Sequence, residues 1–234
     1  MIALVKYMLT DLHRSNRYFM PAVCYGLLVL WMYSVRPNPV LESYSVTVVM
    51  AFGCALWFGF MAEGSEDQVQ RELTMLHAGG WRRYGCGRML LLGIWGLAFS
   101  IWGTLVPVVS GAFERSPTMQ ELGLSLYSHG IAFLLGAVIS WLLAVLGVKP
   151  KSRLVMAMVI LALALAAGGL ESALPSWVGW GTWLIPPAYR LMHVMAKYPS
   201  MNPGAAVFWF LYPVAYAGLL LVPVLKYLPL QGSR

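Results

Sequence analysis

The sequence predicts an all-α polytopic membrane protein with six transmembrane helices, an N-terminal interfacial amphipathic helix, a short cytoplasmic helix between spans two and three, and broken outer-leaflet helices between spans five and six. Two observations carry this reading. Of 234 residues, 59% are hydrophobic and only 11% charged, whereas a soluble domain carries about 25% charged residues. Charges are also missing from the segments 18–35, 43–62, 89–113, 122–148, 154–170 and 204–225. A helix needs roughly 20 apolar residues to cross about 30 Å of hydrocarbon, and each segment is of that order. The loops left over are short, which excludes a separate soluble catalytic domain, so 1–234 reads as one transmembrane domain.

Residues 1–17 place Ile2, Val5, Leu9 and Leu12 on one helical face, with Lys6, Asp11, His13 and Arg14 mostly elsewhere. That pattern predicts a helix lying on the cytoplasmic leaflet, as an anchor or as a grip on a partner. The first span ends in bulky Trp31 and Tyr33, not in a small-residue cleavage site, and so belongs to the mature fold. Trp209, Tyr212 and Tyr227 likewise suit headgroup depth.

Between spans two and three, Glu63 to Arg88 is the most charged part of the chain, with Glu66, Asp67, Arg71, Glu72, Arg82 and Arg83. Within it Val69, Leu73 and Leu76 recur at i, i+4, i+7, and Gly79-Gly80 supplies a stop. A short amphipathic helix is expected there, resting on headgroups or docking to a protein. In span five, Ala162, Ala166 and Gly169 form a small-residue face that lets another helix approach closely. From Glu171 to Pro203, Trp177, Trp180 and Trp183 alternate with Pro175, Pro186 and Pro187. This predicts short helices that dip into the outer leaflet and return.

Lys and Arg fall unevenly between the loops. The N-terminus, the loops after spans two and four, and the C-terminal end with Lys226 and Arg234 hold 12 of the 16, against 4 on the other side. Positive-inside bias therefore puts both termini in the cytoplasm. The net charge of +7 follows this distribution and is no footprint for nucleic acid.

Several chemistries lack their residues. Gly80 and Gly85 have phosphate-loop spacing, but Cys86 and Gly87 stand where Lys and Ser or Thr are required. His13, His77, His129 and His193 show no metal-ligand spacing, and Cys24, Cys54 and Cys86 show none for a disulfide framework or metal cage. No Asp or Glu sits in the middle of a span, as an ion-coupled carrier would want.

The order of these parts resembles the ABC-2 type transporter permeases over nearly the whole chain. The most specific stretch is Glu66-Asp67-Gln68-Val69-Gln70-Arg71-Glu72-Leu73-Thr74-Met75-Leu76, followed by Gly79-Gly80-Trp81-Arg82-Arg83-Tyr84. That family often has a Gly after the Arg-Glu pair and a Pro in the linker, where Leu73 and Gly79-Gly80 stand here. The resemblance implies a permease subunit in a bacterial cytoplasmic membrane, paired with a second permease and with two cytoplasmic ATPases. ATP and magnesium would then bind only to the ATPases. It further implies a coupling helix at Val69, Arg71, Glu72, Leu73 and Leu76, with Arg82 and Arg83 beside it. Permease pairing would fall at Ala162, Ala166 and Gly169, and a translocation path along Phe52, Trp57 and Met61. Those path residues are apolar and aromatic, which favours an amphipathic or lipophilic cargo such as a peptide antibiotic, drug or lipid, and the resemblance implies that it is exported.

Two alternatives stand beside this. One is a non-transporting membrane scaffold or bacteriocin-immunity protein that needs no ATPase. The other rests on Glu66-Asp67 followed by Arg71, which resembles the E-E-x-x-x-R of CAAX-type intramembrane proteases, although Ser125 and Tyr189 precede His129 and His193 where that family has Phe.

Overall fold

The computed structural model describes residues 1–227; Arg234, counted above at the C-terminal end, lies outside them. Helix α1 covers Ile2–Arg14, α2 Phe19–Met32, α3 Val40–Glu63, α4 Gln68–His77, α5 Trp81–Val109, α6 Met119–Val145 and α7 Pro150–Ala173. Then come α8 Ser176–Gly179, a 3-10 turn Trp180–Leu184, α9 Ala188–Lys197, a second 3-10 turn Tyr198–Ser200 and α10 Pro203–Tyr227. Among the described residues there is no strand, only an isolated bridge of Asn38 with Phe113 that joins the α2–α3 and α5–α6 connections.

Five helices, α3, α5, α6, α7 and α10, are long and apolar enough to cross a membrane. The first expected span, 18–35, differs. It is the 14-residue α2, about 21 Å long at 1.5 Å per residue. Pro37 and Pro39 follow closely, and a proline biases the residue before it away from helix. Other boundaries shift for identifiable reasons. Helix α5 begins at Trp81, not at 89, because its Arg88 is neutralised inside the fold by Glu63. Helix α6 begins at Met119 because Thr118 and Glu121 form a capping box. Pro150 opens α7 from a first-turn position, where its missing N–H costs nothing.

Helices α3 and α6 are mostly enclosed, whereas α7 and α10 are mostly open. The α3–α6 crossing is close because small residues line it. A Cβ added at Gly136 would stand 2.6 Å from the Phe52 carbonyl oxygen, and one at Gly59 would stand 2.5 Å from the Ser140 Cβ. The Ser140 hydroxyl donates to the Leu56 carbonyl across this contact at 2.6 Å, a pattern that suits helices packed without water. On one flank α1, α2 and α5 share an apolar cluster with α3 and α6 around Tyr25, Phe58, Phe99 and Phe133. On the other, α9 and α10 join them around Tyr44, Phe52, Leu191 and Phe210.

The alternation of helix directions puts α1, α4 and the end of α10 at one end of the bundle, and the α8–α9 segment at the other. Helix α1 packs on α5 through Leu4, Met8 and Leu12, with Leu4 against Gly87, while Ile2 is exposed. Its inward face is thus turned from the one that Ile2, Val5, Leu9 and Leu12 define.

Candidate functional site

The elbow between α3, α4 and α5 gathers most of the chain's buried charge. Asp67 caps α4 by accepting the Gln70 backbone N–H at 2.7 Å. The helix stops at Gly79 and Gly80, whose φ values of 82° and 111° lie where glycine is favoured. Glu63, the last residue of α3, accepts from Arg88 of α5 at 2.6 Å and from Arg71 of α4 at 3.3 Å. Arg71 also donates to the Glu63 carbonyl at 3.1 Å. Next to it, Glu66 accepts from the Tyr84 hydroxyl at 2.6 Å and the Thr74 hydroxyl at 3.4 Å. Two carboxylates and two guanidiniums therefore balance in a site where an unpaired charge would be costly.

This arrangement divides the residues that sequence singles out. Arg71 turns inward and ties α4 to α3. Gln70 reaches α1, donating to the Tyr7 hydroxyl at 2.8 Å and to Asp11 at 3.2 Å. The opposite face of α4 holds Val69, Leu73 and Leu76, which are 67%, 50% and 75% exposed. Such an apolar triad on a ten-residue helix has no cover among the described residues. Glu72 accepts from Gln68 at 3.2 Å along the helix. Arg82 and Arg83 are exposed where α5 begins, Arg82 lying over the Trp81 ring.

A second polar group lies inside the bundle, assembled from residues far apart in sequence. His129 of α6 is held by Thr47 of α3 at Nε2 (3.0 Å) and by the Ser125 hydroxyl at Nδ1 (3.2 Å). Ser125 also meets the Thr104 hydroxyl of α5 at 2.8 Å, and Tyr44 donates to the Thr104 carbonyl at 2.8 Å. Gly103 makes room, since a Cβ there would stand 2.7 Å from the His129 ring. All five side chains, Tyr44, Thr47, Thr104, Ser125 and His129, are fully buried. The group clasps three helices and offers no exposed nucleophile. The only signal in sequence was a Ser and a His four apart on one apolar helix.

The protease-like residues are not brought together. Thr47, which holds His129, precedes Glu63 by 16 residues on α3, about 24 Å of helix. Asp67 is occupied as a cap, and His193 stacks on Tyr189 in the α9 segment at the opposite end. Among the described residues no group of His, Cys, Asp or Glu could hold a metal ion.

Ala162, Ala166 and Gly169 lie on the exposed side of α7, with nothing near a Cβ built at Gly169. Its inward side uses Ala157, Ala164, Ala167 and Gly168, the last receiving the Tyr189 ring. Phe52 is buried against α6, while Trp57 and Met61 reach the surface in part.

At the end opposite α4, Arg190 of α9 joins α7, the 3-10 turn and α10. It pairs with Glu171 at 2.9 Å, donates to the Thr182 hydroxyl at 3.1 Å and lies 4.2 Å from the centre of the Trp183 ring. Tyr212 and Tyr216 of α10 donate to the Trp183 and Leu184 carbonyls at 2.8 and 2.7 Å.

Comparison with protein-family models, curated proteins and solved structures gives no match for this chain. The class the fold defines is an all-α, multi-pass membrane protein.

Proposed function

We propose that the chain is the membrane-spanning permease subunit of an ATP-binding-cassette transporter, with ATP and Mg²⁺ bound and hydrolysed by a separate pair of cytoplasmic ATPases. The observation that carries this reading is α4. Its outer face is an apolar triad, Val69, Leu73 and Leu76, left exposed among the described residues, and its inner face is fastened to α3 by the Arg71–Glu63 pair, with Glu63 in turn holding Arg88 of α5. A helix built this way can seat in a partner's cleft and pass the partner's movement into the bundle. Transmission needs contacts that differ between two states, and an exposed apolar anchor on a rigid mount can supply them.

In this reading α2 with its flanks completes six spans, and α1, α4 and both termini face the cytoplasm of a bacterial cell. A second permease, identical or related, packs on the open side of α7 at Ala162, Ala166 and Gly169. The path between the two copies carries an amphipathic or lipophilic cargo outward, with Trp57 and Met61 reaching it. Phe52 faces the chain's own core and serves the path only indirectly.

The test is purification of the tagged full chain from its native membrane in mild detergent, with mass spectrometry of what accompanies it and an assay of ATP hydrolysis. A stoichiometric partner carrying a phosphate loop, with vanadate-sensitive turnover, is the expected result. If the chain emerges alone and inert while a control transporter keeps its ATPase, the scaffold or immunity reading replaces this one.

A further inference from the structure

Arg190 is 7% exposed, yet the one charged partner it has among the described residues, the Glu171 side chain, is 47% exposed. Its remaining neighbours are Thr182, which accepts from the same Nη2 as Glu171, and three aromatic rings, Trp183, Trp209 and Tyr212, at 4.2, 5.4 and 5.5 Å. The other terminal nitrogen, Nη1, is buried and has no hydrogen-bond partner among the described residues. A guanidinium presents its donors as a planar fork that fits two oxygens of one anion. Here half of that fork is used, by a carboxylate that stands half in solvent, and half is idle.

The surroundings favour a particular anion. The cage lies where the apolar run of α7 ends and that of α10 begins, which is the depth of lipid headgroups. Trp177, Trp180 and Leu184, on the short segment that also carries Thr182 and Trp183, are largely exposed. Trp183, the ring nearest the guanidinium, is itself 41% exposed, so it is the wall of the cage that borders the surface.

We infer that the Arg190 cage is a binding site for the phosphate of a lipid headgroup, which takes Nη1 and displaces Glu171 from Nη2, with Trp177, Trp180 and Leu184 as the rim along which the acyl chains lie. Glu171 is then a competitor for the site and not part of it. This inference requires the membrane reading alone and stands apart from any ATPase partner.

The experiment is native mass spectrometry of the full chain in detergent, titrated with phosphatidylglycerol, with diacylglycerol of the same chains, and with inorganic phosphate. One phosphatidylglycerol should bind well above diacylglycerol. Arg190→Gln should weaken that binding about tenfold, the size expected for loss of a charged hydrogen-bonding partner. Glu171→Gln should strengthen it several-fold, a gain that a purely structural ion pair cannot produce. Phosphatidylglycerol binding that is unchanged in Arg190→Gln overturns the site. So does binding that is unchanged or weakened in Glu171→Gln, which decides the matter even if Arg190→Gln does not fold. Displacement of the lipid by inorganic phosphate at equal concentration overturns the lipid as ligand in favour of a free anion.

Discussion

Glu63 and Arg88 meet at 2.6 Å with both side chains almost wholly enclosed, so the end of α3 and the start of α5 are joined by a charge pair inside the bundle. Glu63→Ala removes the shared acceptor and leaves Arg88 buried beside Arg71. The expected cost is about 3–5 kcal/mol, the usual result of breaking a buried pair from one side. Chemical unfolding in detergent measures it. Glu63→Leu combined with Arg88→Met should recover a large part of the loss, because no orphaned charge then remains at Arg88.

The apolar face of α4 should behave in the opposite way. Leu73→Asp with Leu76→Asp alters side chains that the fold leaves exposed, so stability should change by no more than about 0.5 kcal/mol per site. Co-purification of an ATPase and transport should both be lost. Full transport in a normally expressed double variant removes α4 as the coupling element.

Two neighbouring glycines on α7 give a test of packing. A Cβ at Gly168 would lie 2.1 Å from the Tyr189 ring, whereas one at Gly169 meets nothing within 4 Å. Gly168→Ala should destabilise by about 1–3 kcal/mol through overpacking. Gly169→Ala should leave the isolated chain at least as stable, since alanine favours helix. If Gly169→Ala keeps that stability but weakens association between permeases, the open side of α7 is their interface.

The clasp around His129 predicts coupling across helices. Thr47→Val and His129→Leu should each cost about 1–3 kcal/mol by leaving a buried partner unsatisfied. The double variant should cost less than the sum, and additive losses would deny that the 3.0 Å contact contributes.

The apolar runs made the all-helical, membrane-spanning build legible, because length and absence of charge are local properties of the chain. The i, i+4, i+7 spacing of Val69, Leu73 and Leu76 was equally visible. That Arg71 turns away from that face was not, since its direction depends on Glu63 eight residues earlier in another helix. Arg88 shows the same limit. A lone charge in sequence marks the end of a span, and only its buried partner makes it part of one. His129 has only Ser125 four residues before it as a signal, because Thr47 and, through Ser125, Thr104 come from two other helices brought together by Gly103 and the α3–α6 crossing. Arg190 reads in sequence only as a charge in a loop, because Trp183 lies seven residues before it and Trp209 comes from another helix.

Helix α3 ties the two ends of the molecule to each other. It is 24 residues long without a proline, its last residue holds Arg71 of α4, and its first turns pack beside α9. A stiff rod gripped at both tips cannot shift at one and stay still at the other. In the permease reading proposed above, a partner seated on Val69, Leu73 and Leu76 would therefore tug, through roughly 36 Å of helix, on the segment that carries Arg190. On that reading, occupancy at the α4 end would be readable at the other end of the bundle as a change in how firmly α9 is held.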